Sequence, residues 1–566
     1  MAICALNWES LGFPSQPPGS AQIGAPISSQ QHQVIERLEK LIWHFTDVPT
    51  FSGDDLGRCY EKFSNVIHTI KELPLCKLRI VDLIELAEHV KTEFDPYSSH
   101  FSSKHVVPDS HIPSDDPGCQ SDHGFCLEHP QTLKPLNAGS LPVESDRVKW
   151  KYPPTFSAAE FLDDALLRSA YEDPEVFRKP VSEWKSINPA RMQCSKEEFL
   201  KLAKRWDDLG ACSLIRADSK NFDEAVGLFC VPKDSEYDRL IVNPQVINGR
   251  MHTLSRATKE LAPGCLLSML HLPDGDMFRI CADDLSDFYY TFRVSQKRAT
   301  RNAFRLVLQS TDVDGFRCFD NSMQGQDLLL CLNTLAMGDN LAVEIAQSAH
   351  RNVLRCLVGS MRDDEVLKYR SPIPRSDFVE LLAIDDHVGI QRLPISLFKD
   401  DPRLRDSEVF ERSSEAYAQV KLVLQEKKRK RNMTKSVVLG ADFDGLAGRV
   451  MAPRIRIMML SLISVAIAMK GTCTPHLMSV VLGCWIHVLL FRRTLFALVD
   501  DLFKQGRGLP PHRVFCLSAQ SRNELLLLAA LGPTAHQIFV PNIQTKCLPP
   551  MPPLIGGQYA RPVLTH

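Results

Sequence analysis

The sequence predicts an α+β fold centred on an antiparallel sheet, and three runs carry the prediction. FRICADD (278–284) reads as a strand that ends in carboxylates. DFVELLAIDDHVGIQ (377–391) is apolar, then acidic, then apolar again, the profile of a β-hairpin with Asp385 and Asp386 at its tip. LFCVPKD (228–234) and DRLIVNP (238–244) read as two short strands joined by a polar turn. At 566 residues the chain is too long for one ordinary core, so two to four domains are expected.

In chain order, residues 1–30 are rich in Pro, Ser, Gln and Gly and are expected to lack order. Residues 31–97 read as a helical unit. Val34, Ile35, Leu38, Leu41, Ile42 and Phe45 fall on one helical face, and further helical patterns cover about 56–72 and 79–93. Residues 98–155 are dense in Pro, Ser, His and Asp and read as a disordered linker. Cys119, His123, Cys126 and His129 lie inside it. They are zinc-type ligands at close spacing, but CxxxHxxCxxH is not a common knuckle, and a polar linker is the favoured reading.

From 156 to 435 helices and strands mix, with a long helical pattern over 324–358 and another helix over about 413–430. SVVLGADFDG (436–445) reads as a strand, and apolar helices run to about 504. Their runs, 457–469 and 477–490, fall short of the roughly 20 apolar residues a membrane span needs. They read as packed core helices. The tail 505–566 is Pro-rich at its end.

Lys plus Arg is 66 and Asp plus Glu is 68, so global charge does not announce a nucleic-acid partner. Local charge does differ. From 421 to 456 there are ten Lys or Arg against three Asp or Glu, a stripe that suits a phosphate backbone. The first residues, MAICALNWES, lack the basic start and apolar run of a signal peptide. The seventeen cysteines follow no repeating spacing. An intracellular protein with reduced thiols, cytoplasmic or nuclear, is the expectation.

The chemistry concentrates in two strand-borne acidic sites, Asp283/Asp284 and Asp385/Asp386. Carboxylates gathered at strand ends are the hard oxygen ligands Mg²⁺ prefers. Two such ions about 4 Å apart can clamp an in-line phosphoryl transfer. Neighbouring strand residues point to opposite faces, so only one of Asp283 and Asp284 can look at a shared metal. Asp-Asp alone is common in surface turns; the flanking residues strengthen the case.

DLSDFYYTFRV (284–294) resembles motif A of reverse transcriptases, the polymerases of retroelements and retroviruses. The resemblance implies that Asp284 binds metal, and that Tyr289 lies under the sugar of the incoming nucleotide and favours dNTPs. VPKDSEYDRLIVNPQVIN (231–248) resembles the fingers hairpin, with Lys233, Arg239 and Asn248 in place and Gln245 where the family often has Arg. LAMGDNLAVEIAQ (335–347) resembles motif B through Gly338, Ala342 and Gln347, with Ala336 and Val343 at the usual proline places. Gly338 and Gln347 are thereby implied in nucleotide binding.

AIDDHVG (383–389) resembles motif C: Asp385 becomes the second metal ligand, Asp386 its acidic neighbour, and Ala383 replaces the family's tyrosine. In KKRKRNMTKSVVLGADFDG (427–445), Lys435 takes the place of the motif D lysine, a candidate general acid. Leu439 and Gly440 take the place of the turn that grips the primer.

The resemblance covers about 200–460. It implies a right hand of fingers and palm (156–435) with thumb and connection-like helices (436–504). It also implies RNA or DNA template with primer as partner, dNTPs as substrate, two Mg²⁺ as cofactor with Mn²⁺ possible, and no membrane. After Asp501 the one acidic residue is Glu524, so no RNase H active site is expected in 505–566. The rival expectation is a degenerate retroelement remnant that keeps the fold and binds nucleic acid. A third is an unrelated metal-dependent nucleotidyltransferase. Oligomeric state is left open.

Overall fold

In a computed structural model the described residues are 140–233, 236–398 and 403–539, with 83, 84, 87, 88 and 90. The expectations for 1–30, for most of 31–97, for Cys119, His123, Cys126 and His129, and for 540–566 lie outside them.

Residues 140–155, the end of the stretch read as linker, are packed. Leu141 bridges to Cys230, and Trp150 stacks on Tyr290 at 4.2 Å between ring centres. Helix α1 (Lys196–Asp208) starts where Ser195 Oγ accepts from the Glu198 N–H. It buries Phe199, Leu202, Ala203 and Trp206, a 3- and 4-residue spacing that makes one apolar face. Strand β1 (Cys212–Arg216) follows. β2 (Gly227–Pro232) and β3 (Asp238–Asn243) form the expected antiparallel pair.

β4 (Asp276–Asp284) leads into the short helix α2 (Phe288–Thr291). β5 (Leu308–Gln309) and β6 (Asp327–Leu332) join β1 in a sheet of order β1-β6-β5. The long helical pattern of 324–358 is therefore part strand. Leu328 to Leu332 are continuously apolar because β6 is buried on both faces, and a run of that kind fits either period. Helix α3 (Ala342–Val353) takes the second half.

β7 (Phe378–Ala383) and β8 (Asp386–Pro394) make the predicted hairpin, and helix α4 (Arg405–Gln419) crosses behind it. That helix begins and ends earlier than the 413–430 expectation, because the basic run supplies β9 (Lys430–Met433). The antiparallel sheet β7-β8-β4-β9 is the centre of the chain.

SVVLGADFDG is two strands, β10 (Lys435–Val438) and β11 (Ala441–Asp444). Leu439 and Gly440 turn at φ of 48° and 72°, the two-residue geometry that reverses a hairpin. β12 (Arg449–Met451) continues that sheet. Helix α5 (Arg454–Lys470), β13 (Thr472–Cys473) and helix α6 (Pro475–Leu489) come next. β14 (Phe515–Cys516), helix α7 (Ala519–Leu531) and β15 (His536–Ile538) are the last elements among the described residues, β15 pairing with β12. The two apolar runs are α5 and α6, buried and tied by Trp485 Nε1 donating to Ser464 Oγ at 2.9 Å. Among the described residues no helix is long and apolar enough to cross a membrane. Glu524, the lone acid of the tail, accepts from the Asp501 and Leu502 N–H groups and is a structural cap.

The central sheet is covered on both faces. Phe278, Ile280, Ala282, Val388 and Ile390 share a core with α5, α6 and the β10–β12 strands. On the other face Cys281, Phe378 and Leu382 join Phe410 and Tyr417 of α4 in a second core. Arg279 lies on that second face, fully buried, and forms a two-pronged pair with Asp406 of α4 at 2.6 Å on each prong. The alternation along β4 fixes where each of its aspartates points.

Candidate active site

Asp284 ends β4 directly opposite Asp386, the first residue of β8, and Ala383 pairs with the same Asp386 across the hairpin. Ile384 and Asp385 are the two turn residues between them. Ile384 has φ of 60°, a conformation costly for a β-branched side chain. The surroundings hold it there from three sides. Gln347 Oε1 accepts from the Ile384 N–H at 2.7 Å, and Gln347 Nε2 donates to Leu382 O at 3.1 Å. His350 Nδ1 donates to Ile384 O at 2.7 Å, and its Nε2 accepts from the Tyr417 hydroxyl at 2.8 Å. Burial drives the His350 pKa down to about 3, so the ring is neutral and can donate with one nitrogen while accepting with the other. The Leu285 N–H, just after β4, closes the third side on Asp385 O at 3.1 Å.

The acids crowd one another. Burial, and then the charge of Asp284, raise Asp385 to about 6. Asp386 is held well above the ordinary carboxylate range by burial and by Asp385 and Asp284. Lys428 and Arg239 oppose the shift at Asp385, and Lys428 and Lys430 oppose it at Asp386. Lys428 Nζ touches Asp284 Oδ2 at 2.8 Å. Among the described residues, the three metal-type donors whose atoms all lie within 4.8 Å of one another are Asp207, Cys212 and Cys318, so the acids of this site stand wider apart, with a lysine against one of them. Asp284 with the raised carboxyls of Asp385 and Asp386 still fits a divalent cation, because a cation relieves the repulsion that raises those two.

Asp283 points the other way. Its carboxylate is buried against Arg431, 2.8 Å from Nη1, on the face toward α4. Tyr289 is buried in α2 close enough to Asp385 for that charge to push its phenol pKa upward, after burial itself. Arg239 acts on Asp385, as noted, whereas exposed Lys233 acts on Asp287. Gly338 has φ of 118°, and a Cβ there would stand 2.2 Å from Val242 O of β3. Asn248 Nδ2 donates to Gly338 O at 2.8 Å, so the motif B turn is locked onto the β2–β3 hairpin.

Three implied roles meet a different geometry. Gln347 is buried with its amide committed to the hairpin backbone, which helps to position Asp385. Lys435 pairs with Asp444 at 2.8 Å across β10 and β11, while the lysines brought to the acids are Lys428 and Lys430. Leu439 and Gly440 are buried, with Leu439 O accepting from the Gly264 N–H, so this turn packs against the core. In sequence Lys428 and Lys430 were visible only as part of a basic run. Nothing there signalled the role of His350.

Because Lys428 is 60 % exposed, its removal should not disturb the fold. Lys428→Ala is expected to tighten Mn²⁺ binding about three- to tenfold, since a competing cation leaves Asp284. Titration followed by electron paramagnetic resonance of free Mn²⁺ checks this; unchanged or weaker binding contradicts it.

A cleft of about 1060 Å³ lies apart from the acids, between the 255–263 loop and α3, lined by Arg256, Lys259, Glu344 and Arg351 among others. Glu344 is bound to the backbone N–H groups of Arg256, Ala257 and Thr258 there, which makes it a support for the loop.

No protein-family model matches the chain, and no curated protein sequence matches it. Among solved structures the chain is similar to the foamy viral protease-reverse transcriptase dRH in complex with ds DNA, at a TM-score of 0.41 and 11 % identity. The likeness covers 63 % of this chain and 53 % of that one, so the chain spans about half the length of this neighbour.

Proposed function

We propose that this chain is a retroelement-derived, reverse-transcriptase-like protein whose site is built for template-directed DNA synthesis. The observation that carries the reading is the pairing of Asp284 with Asp386 across adjacent strands, with Asp385 held at the turn between β7 and β8 and raised to about 6. Residues 156–435 would serve as fingers and palm and 436–504 as thumb-like helices. Asp284 and Asp385 would hold Mg²⁺, or Mn²⁺ in its place, whose chemistry there is to acidify a primer hydroxyl and steady the leaving oxygen. Arg239, already acting on Asp385, is placed to take up phosphate charge. Tyr289, buried within the field of Asp385, would lie under the sugar of the incoming nucleotide, and Gly338 lets the 335–341 turn approach the β2–β3 hairpin. The basic run through Lys430 and Arg431 suits a nucleic-acid backbone.

Primer extension on an RNA template with dNTPs and Mg²⁺ or Mn²⁺ tests the reading. Wild-type protein is expected to extend the primer and Asp385→Asn is not. A second reading rests on the Lys428–Asp284 contact and the buried Leu439–Gly440 turn: a remnant that binds nucleic acid without polymerising. It is favoured if extension is absent while binding persists and weakens steeply with salt.

A further inference from the structure

Far from the acids in sequence terms, the corner between α1 and β1 carries a second group of donors. Asp207 is the penultimate residue of α1, Cys212 opens β1, and Cys318 arrives from the turn that precedes β6. One ligand atom from each lies within 4.8 Å of the other two. Asp207 and Cys212 are buried and Cys318 is half-buried, so the group has one side toward solvent.

Its carboxylate is already aimed. Asp207 Oδ2 accepts from the Arg317 N–H at 2.7 Å and Oδ1 from the Cys318 N–H at 2.9 Å. Lys204 Nζ approaches Oδ2 at 3.4 Å. Cys212 Sγ has Ala203 O at 3.9 Å. Oδ1 keeps a lone pair beyond its bond to the Cys318 N–H, and backbone donors of this kind are how carboxylate ligands are oriented in metal centres.

We propose that Asp207, Cys212 and Cys318 form a zinc-binding site that pins the 315–319 turn to the α1–β1 corner. Two thiolates and a carboxylate select a soft or borderline dication, and Zn²⁺ takes such sets with a fourth position for water. Cys318, half-buried, leaves that fourth position open. Tetrahedral zinc places its ligand atoms roughly 3.5–3.8 Å apart, so the donors need to close by at most about 1 Å. Gly315 stands in open space at the start of the turn, which leaves room for that movement. Mg²⁺ is excluded by the two sulfurs, which separates this site from Asp284 and Asp385 in chemistry as well as in place. The clamp joins residues more than a hundred positions apart and ties the turn to the sheet β1-β6-β5.

The test uses the full chain with Cys119→Ser and Cys126→Ser in every sample, so that the cysteines of the 119–129 stretch contribute nothing. Metal content is measured after purification with zinc, and Co²⁺ is then exchanged in to read thiolate-to-metal charge-transfer absorption. The expected result is one zinc per chain and a charge-transfer band, with both lost in Cys212→Ser/Cys318→Ser. Cys318→Ser alone, at the half-exposed position, is expected to keep the wild-type circular dichroism and lose zinc affinity about tenfold or more. Absence of bound zinc and of the band overturns the site. So does a band that survives both substitutions, or a chain lighter by two hydrogens and metal-free, which would mark a Cys212–Cys318 disulfide.

Discussion

Asp385→Asn is expected to abolish primer extension and, in the absence of divalent metal, to make the protein more stable at neutral pH. Both effects come from one cause. Asp385 carries its charge where burial and Asp284 oppose it, which is why its pKa rises from 3.8 to about 6. The folded state therefore binds a proton between those two values that the unfolded chain has released. Stability falls as pH rises through that window, and above about 6 the whole penalty is present. The amide carries no charge at any of these pH values and escapes it.

The expected gain for the variant at pH 8 is on the order of 1–2 kcal/mol, less than the full conversion of the shift because the side chain keeps some contact with water. The gain should vanish below about pH 4. Urea unfolding at pH 4 and pH 8, without metal, checks it. A variant less stable than wild type at pH 8 would mean that the carboxylate is held by partners and not repelled. Mn²⁺ should reverse the order, because a ligand that binds only the folded wild-type site stabilises it by mass action.

How much of this was legible in the sequence depends on what set each element. The β7–β8 hairpin and the end of β4 were legible because their aspartates interrupt apolar strands, a pattern with few physical explanations. Which aspartate faces the site was open until the alternation along β4 was fixed by Arg279 and Cys281 on the α4 side. What the sequence did not show are contacts across long separations. Gln347 sits on the expected helix, but its partners are Leu382 and Ile384, set by how α3 packs on the hairpin. Lys435 matches by spacing, yet β10 pairs with β11 and turns it to Asp444, while β9 delivers Lys430 to the acids. The packing of 140–155 was hidden because it continues the Pro-, Ser-, His- and Asp-dense stretch before it, while its anchors, Trp150 on Tyr290 and Arg147 on Asp238, lie far away in sequence.

Asp406→Ala is expected to cost about 3–5 kcal/mol, the largest stability loss anticipated for any single substitution considered in this protein. Arg279 and Asp406 are both fully buried, and the variant leaves the guanidinium charged with its main partner gone. Urea unfolding measures the loss, and a cost below about 1 kcal/mol would show that the pair is not what anchors α4. The double replacement Arg279→Met with Asp406→Leu removes both charges together and should return most of the stability, since desolvating two ions roughly cancels their attraction. The pair has a consequence for the site as well. Arg279, Cys281 and Asp283 share one face of β4, and Asp283 is held there by Arg431. A slip of one residue along β4 would exchange Asp283 and Asp284, putting the wrong carboxylate beside Asp385. Two ion pairs on the α4 side thus add to the β8 ladder and the apolar face of Phe278, Ile280 and Ala282 in holding the register. Mn²⁺ affinity should survive the Met/Leu replacement because Asp283–Arg431 still pins the strand. It should fall at least tenfold when Arg431→Leu is added. Equal affinity in both would mean that the register rests on the apolar packing of Ile280 and Ala282 alone.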